Sequence, residues 1–273
     1  MREKIRYVSI IALAITLCMV LHMSIPVELA TETSADDLSI VAAWLGFPLT
    51  ALLWASIAYS CVALVFHFTR ISVSENRAIW EMKFGIFIGV LWLLGYVMAM
   101  PKFGNSFYKE LAGGLCDAIP VVVMVALLGR FTNSANKGRC CKRKPFIGIV
   151  VFGTVFFVIR MMAYHINAID IGFWINSMYS SLWTIAMGIF LGVLYVILGE
   201  TMAMPSVAGS AVKFGCFLFG VTWGSFILFF PLMLKGQLLN TVFMGFLDML
   251  AVVISYYCSE KLHHVLNSSK FCR

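Results

Sequence analysis

Eight apolar stretches, each near the length of a bilayer crossing, limit this chain more than any other feature of its sequence. A membrane-spanning helix needs about 20 mostly apolar residues. That criterion is met at residues 6–25, 40–67, 84–101, 111–129, 146–165, 176–198, 214–234 and 239–258. With 12% charged residues and a mean hydropathy of +0.93, a soluble chain would expose wide apolar patches. The reading is an all-α polytopic membrane protein with eight transmembrane helices.

Charge then orients the spans. One polar run stands out, Arg130 to Lys144, which carries Arg130, Lys137, Arg139, Lys142, Arg143 and Lys144. Membrane proteins retain Lys and Arg in cytosolic loops. With the N-terminus inside, the inner segments hold those six together with Arg2, Lys4, Arg6, Arg70, Arg77, Lys83, Lys213, Lys261, Lys270 and Arg273, which is 16 of the 20 basic residues. Glu28, Glu32, Asp36, Asp37, Glu110 and Asp170 fall outside. Both termini are therefore expected in the cytosol of a multi-pass protein of the cell membrane. Topology also accounts for the net charge of +7, so no nucleic-acid partner is implied. The central basic loop is expected to meet anionic lipid headgroups. A signal peptide cleaved after Ala30 would leave seven spans, but Glu28, third back from that cut, fits the small-x-small pattern poorly.

The eight cysteines form no disulfide framework. Cys18, Cys61, Cys116 and Cys216 lie in apolar runs, and Cys140, Cys141, Cys258 and Cys272 lie near or beyond span ends read as cytosolic, where thiols stay reduced. The absence of a CxxC pair argues against a structural zinc site, and no cofactor is implied.

The chain echoes itself. Lys83-Phe84-Gly85 recurs as Lys213-Phe214-Gly215, Gly89-Val-x-Trp92 as Gly220-Val-x-Trp223, and Gly114-x-x-Asp117 as Gly245-x-x-Asp248. Leu53-Trp54 answers Leu182-Trp183, and His22 answers His165. The order is kept through four span pairs, which reads as a tandem duplication of a four-helix unit. An even-numbered unit keeps its orientation, giving two parallel repeats. Residues 1–129 are then the first repeat, 130–145 the linker and 146–273 the second repeat with a short tail.

Chemistry is confined to few positions. Asp117 and Asp248 lie inside spans, where a charge costs about 2.5–3.5 kcal/mol and marks a proton relay, a cation site or a basic partner. Arg160 sits about five residues from the outer end of its span. It either snorkels to headgroups, pairs with Asp117, or holds an anionic substrate. His22 and His165 end matching spans, and two His with two Asp near one face are a candidate cation or proton site if the four converge. No spacing assigns a metal. Asn176, Ser180 and Thr184 recur every four residues and share a helix face, flanked by Tyr179 and Trp183; such a stripe at membrane depth lines a cavity or a helix contact. Gly85-x-x-x-Gly89, Gly188-x-x-x-Gly192 and Gly220-x-x-x-Gly224 allow close backbone approach. Pro48 and Pro120 should kink their spans.

The absence of GxxxxGK, a dinucleotide glycine fingerprint, HExxH and Gly-x-Ser-x-Gly excludes the nucleotide-binding and hydrolytic enzymes those motifs mark. The reading is a non-enzymatic secondary transporter or permease for a small solute or ion, with intramembrane carboxylates as proton or cation sites. The alternative is a membrane sensor or a subunit of a membrane complex, its basic loop docking a cytosolic partner. A membrane-embedded enzyme acting on lipid or peptide ranks below both. A homo-oligomer is compatible with each reading.

Overall fold

The computed structural model describes residues 2–26, 37–70, 77–98, 100–131 and 144–268. The readings placed on Lys137, Arg139, Lys142, Arg143 and the Cys140-Cys141 pair lie outside them, as do those on Glu28, Glu32, Asp36 and the last five residues. Among the described residues, eight helices are long and apolar enough to cross a membrane: Glu3–Met23, Phe47–Arg70, Ala78–Phe103, Phe107–Phe131, Ile147–His165, Ser177–Met202, Val207–Met233 and Leu238–Leu266. The chain is an integral, multi-pass membrane protein. Its outward positions carry Leu, Ile, Val and Phe, as a lipid-facing surface requires.

Three details differ from expectation. The second apolar stretch is two helices, Ile40–Leu45 and Phe47–Arg70, divided at Gly46, whose φ of 79° suits a residue without a side chain. Pro48 therefore sits in the first turn of its helix, where a missing N–H costs nothing, and does not kink a span. Pro120, by contrast, does lie inside its span, within the helix Phe107–Phe131. The seventh span begins at Val207, earlier than its hydropathy indicates, and winds through a π-helical stretch at Lys213–Gly220.

Packing follows a regular scheme. The first span lies against the fourth, and the fifth against the eighth; the third lies along the fourth, and the seventh along the eighth. The second span meets the seventh, and the third meets the sixth. Large aromatic side chains fill the centre. Trp54 and Trp92 have ring centroids 5.9 Å apart, and Phe226 lies 5.7 Å from both Trp92 and Trp223. A buried indole N–H needs an acceptor, and those of Trp54, Trp92 and Trp183 find one on another span. Trp54 donates to Ser225 O at 3.0 Å, Trp92 to Thr222 O at 3.1 Å and Trp183 to Leu94 O at 2.8 Å.

Loop contacts close one end of the bundle. Ser39 N donates to Met233 O and Lys235 N to Asp37 O, both at 2.9 Å. Lys102 Nζ pairs with Asp170 at 2.9 Å, and Asn240 Oδ1 accepts from Asp170 N at 2.7 Å. At the other end Lys144 pairs with Glu260 at 2.9 Å and Glu200 at 3.2 Å. Burial alone would lower the pKa of Lys144, but its hydrogen bond to Glu260 and the nearby carboxylates hold it above the ordinary lysine value. Within the basic segment, Lys144 is thus tied to the protein rather than directed at headgroups. A cleft of about 230 Å³ opens beside it, lined in part by Glu200, Ser210, Tyr256 and His264.

Candidate functional site

Each of the two aspartates builds a polar centre inside the bundle. Asp117 is ten residues into the helix Phe107–Phe131, and Asp248 is ten residues into the helix Leu238–Ser268. At about 1.5 Å per residue both sit roughly 15 Å from their helix starts. Both are fully buried, and at ten residues into its helix Asp117 is not a helix cap.

The Asp248 centre is an ion pair. Arg160 Nη2 lies 2.5 Å from Asp248 Oδ2 and Arg160 Nε lies 2.6 Å from Oδ1, a bidentate arrangement with no exposure of either side chain. Trp223 Nε1 donates to Asp248 Oδ2 at 2.9 Å, and Arg160 Nη1 donates to the Tyr164 hydroxyl at 3.1 Å. The guanidinium lies over Trp183, 5.1 Å from the ring centroid. Arg160 therefore neither snorkels nor pairs with Asp117. The eighth span supplies a carboxylate in reach, and a paired buried charge needs no headgroup.

The Asp117 centre is different in kind. Cys18 Sγ donates to Asp117 Oδ1 at 3.1 Å, and His22 Nε2 lies 3.0 Å from the same oxygen. Tyr96 donates to Oδ2 at 2.5 Å, while Tyr59 donates to the backbone oxygen of Asp117 at 3.1 Å. Cys18 is buried and the His22 side chain keeps 34% exposure. Gly113 and Gly114 together leave room for the Tyr96 ring: a Cβ at Gly113 would come within 3.0 Å of it and one at Gly114 within 3.3 Å, and the latter would also meet Leu93 at 2.6 Å. Among the described residues no lysine or arginine pairs with Asp117.

The four-residue site of two histidines and two aspartates is not formed. His165 is exposed, bonds the carbonyl of Met161 at 2.7 Å and lies against Phe173 and Trp174. Aromatic rings link the two aspartates: Tyr96 contacts Phe226 at 5.6 Å, and Phe226 contacts Trp223. The polar stripe also divides. Asn176 is an exposed N-cap whose Oδ1 accepts from Tyr179 N at 3.0 Å. Thr184 joins the Arg160 centre through Tyr164 at 3.3 Å, and Ser180 Oγ is buried with no hydrogen-bond partner among the described residues.

Reading the sequence missed Cys18 and Tyr96 on the Asp117 carboxylate, and Trp223 and Tyr164 in the Asp248 centre. Cys18 and His22 are four apart on the first span, so they share a face, and that spacing was the available signal. Nothing local marked Tyr96. Comparison with protein-family models, with curated proteins and with solved structures finds no match for this chain.

Proposed function

We propose that this chain is a secondary transporter or permease for a small solute or ion, with both termini in the cytosol and two parallel four-helix halves. Reciprocal contacts support the two halves. Trp54 of the second span donates to Ser225 O of the seventh, and Trp183 of the sixth donates to Leu94 O of the third. Trp54 and Trp183 occupy echoed positions, as do Leu94 and Ser225 at the offset that relates Asp117 to Asp248. Repeat-built transporters place their sites near the midplane and rock one half against the other.

The observation that carries the transport reading is the contrast between the aspartates. Asp248 has a fixed cation in Arg160 and serves to hold the fifth and eighth spans together. Asp117 is held by a thiol, a phenol and an imidazole that is charged only when protonated. A carboxylate at that depth with an exchangeable counter-charge is suited to taking up and releasing a proton or cation. The partly exposed His22 gives the centre its link to the surface. The test is gradient-driven uptake in proteoliposomes, which should be lost in Asp117→Asn while the protein stays folded. Uptake and gradient dependence unchanged by that substitution would sink the coupling role.

A further inference from the structure

We infer that Cys18, His22 and Asp117 form a binding site for a divalent transition-metal ion of the zinc class. Their donor atoms all lie within 4.8 Å of one another. Cys18 and His22 project from one face of the first span, a single turn apart, and Asp117 completes the set from the fourth. Thiolate, imidazole and carboxylate are the donors that zinc binds at about 2.0–2.3 Å. Donors held at that distance around a tetrahedral ion stand about 3.3–3.6 Å apart. Here Sγ and Nε2 already lie 3.1 and 3.0 Å from the carboxylate oxygen, so small side-chain rotations admit the ion.

The donor set selects the ion. A soft sulfur ligand discriminates against magnesium and calcium, which take oxygen. Three protein ligands leave the fourth position of a tetrahedral ion open, as in sites that exchange what they bind. Tyr96 bonds the other oxygen of Asp117 and so turns Oδ1 toward the sulfur and the imidazole. Charge also balances. Binding displaces the Cys18 proton, and that of His22 where it carries one, so that a divalent ion meets one thiolate, one carboxylate and a neutral imidazole. The loaded centre is then neutral, which removes the cost of an uncompensated charge at membrane depth. This inference names the ion for the Asp117 centre and rests on the transporter reading only for the claim that the ion crosses the membrane.

The experiment is titration of the purified full chain in detergent with cobalt(II), a spectroscopic stand-in for zinc. A thiolate-to-cobalt charge-transfer band should saturate at one ion per chain and disappear on adding zinc. Cys18→Ser should abolish the band while gel-filtration and helical circular dichroism match the parent. Tyr96→Phe, which leaves all three ligands in place, should weaken binding about tenfold. No band, or a band of equal size in Cys18→Ser, overturns the site. Proteoliposome uptake separates the two claims. Metal bound without zinc uptake upholds the site and overturns the transport reading for it. Gradient-driven uptake of another solute with no cobalt band overturns the site and leaves the transport reading standing.

Discussion

Arg160 and Asp248 lie on the fifth and eighth spans, and their charged ends meet at 2.5 Å with neither side chain exposed. Taking two charges out of water costs several kcal/mol each, and only good geometry with further hydrogen bonds repays it. Trp223, Tyr164 and the faces of Trp183 and Phe156 supply those partners. The pair is therefore a closed centre, in contrast to Asp117, whose partners are all neutral or titratable.

That closure predicts strong non-additivity. Asp248→Asn or Arg160→Met alone leaves a buried charge without its partner and should destabilise the protein by about 3–5 kcal/mol. The double substitution Arg160→Met with Asp248→Leu removes both charges and should cost less than either single change. Thermal unfolding of the four proteins in one detergent measures the cycle. Additive costs would show that the pair contributes nothing as a pair.

The indole bonds predict a loss from either half. Trp54→Phe and Trp183→Phe keep an aromatic ring but remove the N–H that reaches the opposite half. Each lost hydrogen bond should cost about 0.5–1.5 kcal/mol, in addition to the cavity left by the smaller ring, and Trp183 also loses part of its face on Arg160. Side-by-side unfolding of the two variants checks this. A loss in one and none in the other would argue against reciprocal halves.

The spans were legible in the sequence because lipid demands length and apolarity, and both are written locally. Packing was less so. Arg160 near a span end reads as a headgroup anchor until the eighth span brings Asp248 to it, and no local pattern encodes that approach. His165 matches His22 in the sequence echo, yet lies against Phe173 and Trp174, because a Met161 carbonyl and the loop aromatics claim it. Asn176 fits the spacing of a membrane stripe but is a cap, since the helix starts one residue later. Tyr96 reaches the site across the room left by Gly113 and Gly114, a relation between two spans.

The loop contact at Asp170 predicts a loss of stability in acid. Burial would raise its pKa, but the Gly172 N–H at 2.9 Å and Lys102 outweigh that and hold it below the ordinary carboxylate value. A lowered folded pKa stabilises above the unfolded value of about 3.9 and is lost as the pH falls through the folded one. The parent should therefore be more stable than Asp170→Asn at pH 6, and the gap should narrow toward pH 3. Because the Asp170 side chain is 65% exposed, the effect should be small and shrink in salt. Melting temperatures of both proteins across that range test it, and a gap independent of pH would rule it out.

Glycine spacing predicts contact unevenly, and two substitutions separate the cases. At Gly192 an added Cβ would meet Ile149 Cα at 2.5 Å and its carbonyl oxygen at 3.1 Å, both backbone atoms of the fifth span. At Gly188 it would meet Gly153 Cα at 3.0 Å. These two glycines set how closely the fifth and sixth spans approach. Gly224 has the same spacing from Gly220, but nothing lies within 4 Å of a Cβ built there. Gly192→Ala must push two helices apart and should cost about 1–3 kcal/mol. Gly224→Ala fills open space and stiffens the helix, so it should be neutral or gain up to about 1 kcal/mol. Unfolding both variants under one condition decides the matter, and equal losses would show that spacing alone, without backbone contact, governs the cost.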